Sequence, residues 1–362
     1  MGVNRDFWRG RRVLVTGHTG FKGSWLVLLL RELGAQVSGM ALAPPSCPNL
    51  FEAARVGEDM QSVLADIRDP DVPHRCIAEH APDVVFHLAA QSLVRASYED
   101  PVDTFATNVM GSVNVLEACR RSMAVRAVVV VTSDKCYANP GNGHAFSESD
   151  RLGSGDPYST SKACAELVAE SYRSSFGNTP CAAIATVRAG NVIGGGDWSR
   201  DRLLPDLLAA FAQARPSRVR HPDAIRPWQH VLDPLCGYLQ VAEGLHSGVP
   251  GHASAWNFGP DSEGCVSVAE VAVLAAGAWG ASATWAATDD GGPPEAIALR
   301  LDSSRARTAL GWAPRWSTRE AVERTVHWHR EFLAGTDARN LCLSQIRAHR
   351  RAKGTLQREA RA

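Results

Sequence analysis

The sequence predicts an α/β protein with a doubly wound parallel sheet, followed by a smaller C-terminal substrate-binding domain. Three observations carry this. Short β-branched and apolar runs alternate with helical patterns through the first half of the chain. A glycine-rich loop joins the first of those runs to the first long helical pattern. Beyond about residue 191 the texture changes to polar, arginine-rich loops around shorter helices.

Taken in order, "RRVLVTG" reads as the first strand and "KGSWLVLLLRELG" as a helix with Leu26, Leu29, Leu30 and Leu33 on one face and Gly34 as its stop. The runs "AQVSGMAL", "QSVLADI", "DVVFHLAA" and "RAVVVVTSD" supply further strands, with a long helical stretch over about 101–123 between the last two. "DPYSTSKACAELVAESYRSSFG" is a helix with Pro157 near its start and Gly177 at its end, and "PCAAIATVRAGNVIG" is the next strand, leaving the sheet at about Asn191. The expected organisation is a dinucleotide-binding domain over 1–190 and a substrate domain over 191–335, some of whose segments return to the first. A basic, Ala-rich tail over 336–362, frayed or disordered, ends the chain.

Composition narrows the function. The 362 residues carry equal numbers of acidic and basic side chains, so a bulk electrostatic partner such as nucleic acid or an anionic membrane is not expected. The nine cysteines form no CxxC pair, which fits reduced thiols better than disulfides or a zinc site. With no apolar run of about eighteen residues and no leader pattern, the expected location is the cytoplasm. Thirty-four of the basic residues are arginines and only four are lysines. Lysine in such a chain suggests a position where an ammonium must be able to lose its proton, and Lys22, Lys135 and Lys162 all fall in motifs.

"TGHTGFKG" spaces Gly17, Gly20 and Gly23 between a strand and its helix. Glycine there lets the backbone turn tightly and approach a pyrophosphate seated on the helix N-terminus. With Thr19, Phe21 and Lys22 in the same loop, and Ile67, Leu88, Ala89, Ala90 and Asn108 nearby, this predicts a Rossmann-type site for a nicotinamide dinucleotide, NAD. Asp66 could accept from the adenine amino group. The second strand lacks the acid that would bind the adenosine ribose, so NAD over NADP stays open, and Lys22 could face a 2′-phosphate or be solvated.

"YSTSK" places Tyr158 and Lys162 on one helical face, where the lysine can stabilise a phenolate of lowered pKa that accepts a proton from a sugar alcohol as hydride leaves. Ser133, at a strand end, could donate to the same hydroxyl. Beside it stand Asp134 and Lys135, either an ion pair closing the strand or an acid and a base aimed at one substrate. His87 and His230 have no metal-ligand spacing, and His327 and His329 point apart on a helix, so no metal is expected.

With these motifs on hand, the chain resembles the extended short-chain dehydrogenase/reductases of the nucleotide-sugar type. "GHTGFKGSW", "SDK" and "RPWQHV" resemble, more narrowly, the CDP-glucose 4,6-dehydratases, over about residues 7–346. That resemblance implies redox-neutral dehydration of CDP-glucose with tightly held NAD, and a small-molecule nucleotide sugar as partner. It implies Asn191, Arg202 and Arg226 around the diphosphate and sugar, Arg95 near the hexose, Arg220 as a further candidate and Glu295 toward the nucleoside. It also implies a homodimer or dimer of dimers through helices at about 101–123 and 157–176, and a place in deoxysugar synthesis, for lipopolysaccharide among other products. A C4 epimerase or reductase, a dehydratase of a different nucleotide sugar, and a non-catalytic dinucleotide sensor are the competing readings. Nothing in the residues themselves selects the nucleobase.

Overall fold

The computed structural model describes residues 2–177, 182–288 and 296–352. Five parallel strands, β1 (Arg12–Thr16), β2 (Gln36–Ala41), β3 (Gln61–Leu64), β4 (Val84–His87) and β5 (Ala127–Val131), form the first part of a seven-stranded sheet. The strands Ala183–Ala189 and Ala255–Phe258 complete it. From one edge the order is β3, β2, β1, β4, β5, Ala183–Ala189, Ala255–Phe258, so the chain reverses direction across the sheet between β1 and β4. A crevice opens at the carboxyl ends of the strands at such a switch point. β5 is buried along its whole length, as a strand covered by helices on both faces must be, and its Val128–Val131 run pays no polar penalty there.

The helix Phe21–Leu33 differs from the expected one-faced pattern. Trp25, Val27 and Leu28 are as buried as Leu26, Leu29 and Leu30. Its middle, Gly23 to Leu30, is buried on every side, and the outer cover there is the helix Ala338–Arg351. Gly34 ends the helix in the left-handed region, with φ 92°.

The chain after residue 191 divides its residues between two places. The helix Leu232–His246 packs on β5 and Ala183–Ala189, and Ala255–Phe258 extends the main sheet in parallel beside Ala183–Ala189. Around them, the short strands Asn191–Ile193, Ile225–His230 and Cys265–Ser267 make a second, three-stranded sheet. This sheet and the helices Leu203–Ala212, Val268–Trp279 and Thr318–Leu333 enclose a separate apolar core containing Phe211, Trp228, Val271 and Val326.

One expectation is corrected. Much of the presumed tail, Ala338–Arg351, is a packed helix, not a frayed end. Its Cys342, Ile346 and His349 are buried, and His349 Nε2 lies 2.8 Å from Asp233 Oδ1 in the core. Counting its basic residues hid an apolar stripe at helical spacing. The remainder, 353–362 with Lys353, lies outside the described residues. The eight cysteines among the described residues are free thiols, and no cluster of metal-ligating side chains occurs among them.

Candidate active site

A cleft of about 600 Å³ runs along the carboxyl ends of β1, β4 and β5, between the large sheet and the second core. At one end is the glycine loop. Gly17 has φ 74°, and a Cβ on it would lie 2.7 Å from the backbone nitrogen of Ala89 after β4. A Cβ on Gly23 would lie 2.1 Å from the carbonyl oxygen of Gly17. Both positions therefore exclude side chains for reasons internal to the loop. Gly20 is different: a Cβ there would meet only the Gly17 oxygen, at 3.4 Å, and would otherwise project into the cleft at the N-terminus of Phe21–Leu33. That is the cradle a pyrophosphate needs, with unpaired helix N–H groups facing it. The residues present fit a dinucleotide.

Thr19, Phe21, Lys22, Asp66, Ile67, Leu88, Ala89 and Ala90 all line the same cleft. Asp66 is paired with Arg68, whose hydrogen bonds hold its carboxyl below the usual range. At the end of β2 and just past it the wall is Ala41, Leu42, Ala43 and Pro45, an apolar surface where a ribose-binding acid would stand. Within β2, Gly39 faces His18, whose ring would lie 2.4 Å from an added Cβ.

Asn108 is a correction. Its side chain is buried outside the cleft lining, where it accepts from Gln91 N (2.8 Å) and donates to Gln91 O (2.9 Å) and to Ser161 Oγ (2.8 Å). It fixes the loop after β4 against the helix that carries Tyr158. Lys22 is a second correction, since neither solvation nor a 2′-phosphate describes its surroundings. Its ammonium sits 5.9 Å from the ring of Tyr238, among Arg202, Lys162 and Asp134, at the opposite end of the cleft from the adenosine wall. Burial, then the Arg202 and Lys162 charges, push it down to about 8.

The catalytic end is built where β5 stops. Val131 is the last strand residue, and Ser133 caps a short 3₁₀ turn over Asp134–Cys136 by accepting from Lys135 N at 3.2 Å. The turn separates the two charged residues. Asp134 goes inside, 3 % exposed, while Lys135 is half-buried on the cleft wall. Ser133 Oγ donates to Asp134 Oδ1 at 3.0 Å, and Asp134 Oδ2 is buried without a hydrogen-bond partner. Burial raises the Asp134 carboxyl above the usual range, although Lys135, Ser133, Arg226 and Lys22 all oppose it. The direction of that shift favours the protonated carboxyl.

Tyr158 and Lys162 come in on the helix Pro157–Phe176. Asp156 caps it by accepting from Ser159 N (2.9 Å), and Pro157 takes the first position, where no N–H is missed. One turn apart, the two side chains reach the same end of the cleft. Tyr158 N donates to Ser97 Oγ (3.1 Å), and Lys162 Nζ donates to Val131 O (3.3 Å). The expected lowering of the phenol is not a property of the protein alone. Burial pushes Tyr158 up to about 12, Asp134 adds to that and Ser133 opposes it, while burial pushes Lys162 down to about 8.

The far wall carries the arginines. Arg95, Arg202, Arg220 and Arg226 line the cleft with Asn191. Arg202 is 3.0 Å from Asp197, and Arg220 is 2.8 Å from Asp201, which also lies 3.8 Å from Arg95. These carboxylates, with Asp206, were missed in the sequence. The "GGGDWSRD" run held the signal, since acids alternating with arginines orient guanidinium groups. Glu295 lies outside the described residues. His87 is a buried structural group: it bonds Thr16 Oγ1 (2.8 Å) and Ser112 Oγ (2.9 Å), and burial drives it down to about 3. His230 bonds Gln345 (3.1 Å) in the core.

The model of the NAD dependent epimerase/dehydratase family matches residues 13–259. Over 340 residues, 92% of this chain and 95% of the relative, the sequence is 47% identical to the CDP-glucose 4,6-dehydratase of Salmonella typhimurium. The Thermus thermophilus UDP-glucose 4-epimerase complex with NAD matches with a TM-score of 0.73 at 26% identity, over 88% of this chain and 99% of that one. The Stenotrophomonas maltophila UDP-glucose-4-epimerase with bound NAD and formylated UDP-arabinopyranose shares the fold, with a TM-score of 0.77 at 24% identity, over 90% of this chain and 100% of that one.

Proposed function

The chain belongs to the NAD-dependent epimerase/dehydratase family, and from that membership we propose its reaction. It dehydrates CDP-D-glucose to CDP-4-keto-6-deoxy-D-glucose without net oxidation. Among nucleotide-sugar enzymes, the similarity to the Salmonella typhimurium protein along nearly all of both chains favours this substrate. The observation that carries a dehydratase over an epimerase is Asp134. A C4 epimerase needs Tyr158 and Lys162 only, whereas here a buried carboxyl of raised pKa shares their cleft.

NAD, when bound, would supply the acceptor for the C4 hydride and the source of the hydride delivered to C6. Gly17, Gly20 and Gly23 with the N-terminus of Phe21–Leu33 would hold its pyrophosphate, and Asp66 and Ile67 its adenosine end. Tyr158 Oη takes the C4 hydroxyl proton, with Lys162 favouring the phenolate. Once C4 is a ketone, the C5 proton is α to a carbonyl and the C6 hydroxyl is a β leaving group. Asp134 gives that hydroxyl its proton, and water departs. Lys135 acts at C5 in one of two ways: as a neutral amine it takes the proton, or as an ammonium it stabilises the enolate. Arg95, Arg202, Arg220 and Arg226 bind the diphosphate and hexose, arginine forks suiting phosphate oxygens.

The decisive experiment mixes protein and CDP-glucose without reductant and follows the alkali-induced absorbance of a 4-keto sugar. Product forms, no NADH accumulates, and kcat/KM for CDP-glucose exceeds that for the UDP-, dTDP- and GDP-sugars. Stoichiometric NADH, or equal use of dTDP-glucose, refutes the assignment.

The same reading extends to assembly and location. The helical stretches 101–121 and 157–176 expose Val102, Met110 and Leu167 (77, 54 and 58 %), which supports a homodimer pairing through them. Light scattering on the purified protein tests it. No described helix is long and apolar enough to cross a membrane; a cytoplasmic enzyme supplying deoxysugar synthesis, lipopolysaccharide included, is the setting we infer.

A further inference from the structure

The run "DWSRD" before the helix Leu203–Ala212 contributes two acids to the arginine wall, and they are held in different ways. Asp197 is 4 % exposed, and its Oδ1 accepts from Ser199 N at 3.0 Å while its Oδ2 accepts from Arg202 Nη1 at 3.0 Å. It is a fixed part of the wall. Asp201 also lines the cleft, but its side chain is 43 % exposed. Its backbone stands at φ 59°, a conformation uncommon outside glycine and kept where neighbouring contacts hold it.

The contacts that hold it belong to two arginines. Asp201 Oδ1 accepts from Arg220 Nη1 at 2.8 Å and lies 3.8 Å from Arg95 Nε. These arginines come from opposite walls. Arg95 is on the helix Val94–Glu99, which follows β4 of the large sheet, whereas Arg220 ends the strand Ser217–Arg220, whose Val219 is buried in the second core. One carboxylate oxygen is thus the anion that both walls share. A sugar-nucleotide diphosphate brings two negative charges and several oxygens, and guanidinium forks grip phosphate oxygens in pairs. It outcompetes a lone carboxylate oxygen for the same two groups, and the two anions repel each other if both stay.

We propose that Asp201 is a displaceable stand-in for the substrate's diphosphate. In the empty cleft it holds Arg95 and Arg220 in place across the gap. The entering diphosphate takes both arginines and expels the carboxylate toward solvent. This rests on the reading that these arginines bind the diphosphate, and adds an acid that limits how tightly they do so. Substrate and product carry the same diphosphate, so the returning carboxylate also helps product leave.

The test is isothermal titration calorimetry with CDP on NAD-loaded wild type, Asp201→Asn, Arg220→Ala and the double variant Asp201→Asn/Arg220→Ala. Asparagine tolerates left-handed backbone as aspartate does, so Asp201→Asn removes the charge and leaves the turn. It should bind CDP about 5-fold more tightly than wild type, the upper end for a solvent-exposed ion pair. In the Arg220→Ala background the same substitution should gain less than about 2-fold, because the partner to be released is already gone. Unchanged or weaker CDP binding by Asp201→Asn would show that Asp201 orients the arginines and stays. An equal gain in both backgrounds would show repulsion across the cleft without displacement. Either result overturns the stand-in while leaving the diphosphate reading intact. If Arg220→Ala by itself binds CDP as wild type does, that reading fails at Arg220 and the stand-in fails with it.

Discussion

Replacing Glu166 with glutamine tests whether the catalytic strand end depends on a buried ion pair behind it. Arg188 reaches Glu166 with two hydrogen bonds, Nε to Oε1 at 2.9 Å and Nη2 to Oε2 at 2.8 Å, and the two side chains are 3 and 1 % exposed. Thr132, immediately before Ser133, also donates to Glu166, and Arg188 Nη1 donates to Tyr137 Oη at 2.7 Å. Burial alone would raise the Glu166 carboxyl, but the bonds and charge of Arg188, with help from Thr132 and Thr186, hold it below its usual value. Glu166→Gln keeps the shape and strands the guanidinium charge in the core, a change that costs about 3–5 kcal/mol. For a chain of this size the unfolding entropy converts roughly 0.7 kcal/mol to one degree, so Tm should fall by about 4–7 °C. Differential scanning calorimetry of the NAD-bound protein measures it. The double variant Glu166→Leu/Arg188→Met, which removes both charges, should recover most of the loss. A drop below about 1 °C, or a double variant no better than the single, would refute the argument. The sign with pH follows: a carboxyl depressed in the folded state stabilises above its unfolded value, and that contribution fades as pH falls through the acid range.

Lys135→Met should still oxidise C4, so bound NADH absorbance appears on adding CDP-glucose while 6-deoxy product falls by about 10²–10⁴; dehydration near the wild-type rate would make Lys135 structural. Asp134→Asn should stall at the same stage yet still exchange the C5 proton with deuterated solvent, read by NMR of recovered sugar. Gly17→Ala would press its Cβ within 2.7 Å of Ala89 N at a φ of 74°, so the purified variant should lose bound NAD, measured in the supernatant after acid precipitation. His349 is held up to about 9, burial working against it while the Asp233 charge prevails. Its contribution to stability is therefore full below about 6.5 and is lost as pH rises through about 9. Tm should decline over that window in wild type and not in His349→Gln; parallel slopes would show the pair to be uncharged.

The strand ends and the cleft were legible because local chemistry specifies them. A buried valine run must be a strand, GxxGxxG must be a close turn, and tyrosine and lysine four apart must share a helical face. Asp134 and Lys135 were legible as a question, and it took Ser133's cap to show that one turns inward and the other does not. What sequence concealed depends on partners far along the chain. Lys22 lies near Arg202, His349 near Asp233, and Asn108 holds Gln91 and Ser161. The phenol of Tyr158 was expected low from the neighbours in view, Lys162 and Ser133; burial, which sequence spacing does not measure, outweighs them. The helix Ala338–Arg351 was obscured by four arginines whose polar face drew attention from its buried one.

The helical stretch behind the cleft is not one uniform coil. It runs as α-helix over Pro101–Phe105, widens to a π turn over Ala106–Met110 and resumes as α-helix over Gly111–Arg121. A π turn holds one residue more than the α-helix has room for, and each residue of an α-helix advances the side chains by about 100°. The stretch is thus two helices in different phase joined without a break. Deleting a single residue from the widened turn would not shorten the helix so much as rotate it. Asn108 would swing away from Gln91 and Ser161, and Gly111, against which Ile67 packs with no room for a Cβ, would be replaced at that contact by a neighbour with a side chain. An insertion of one residue, usually neutral in a loop, is here a gear tooth that sets the first helix and the second to face different parts of the enzyme.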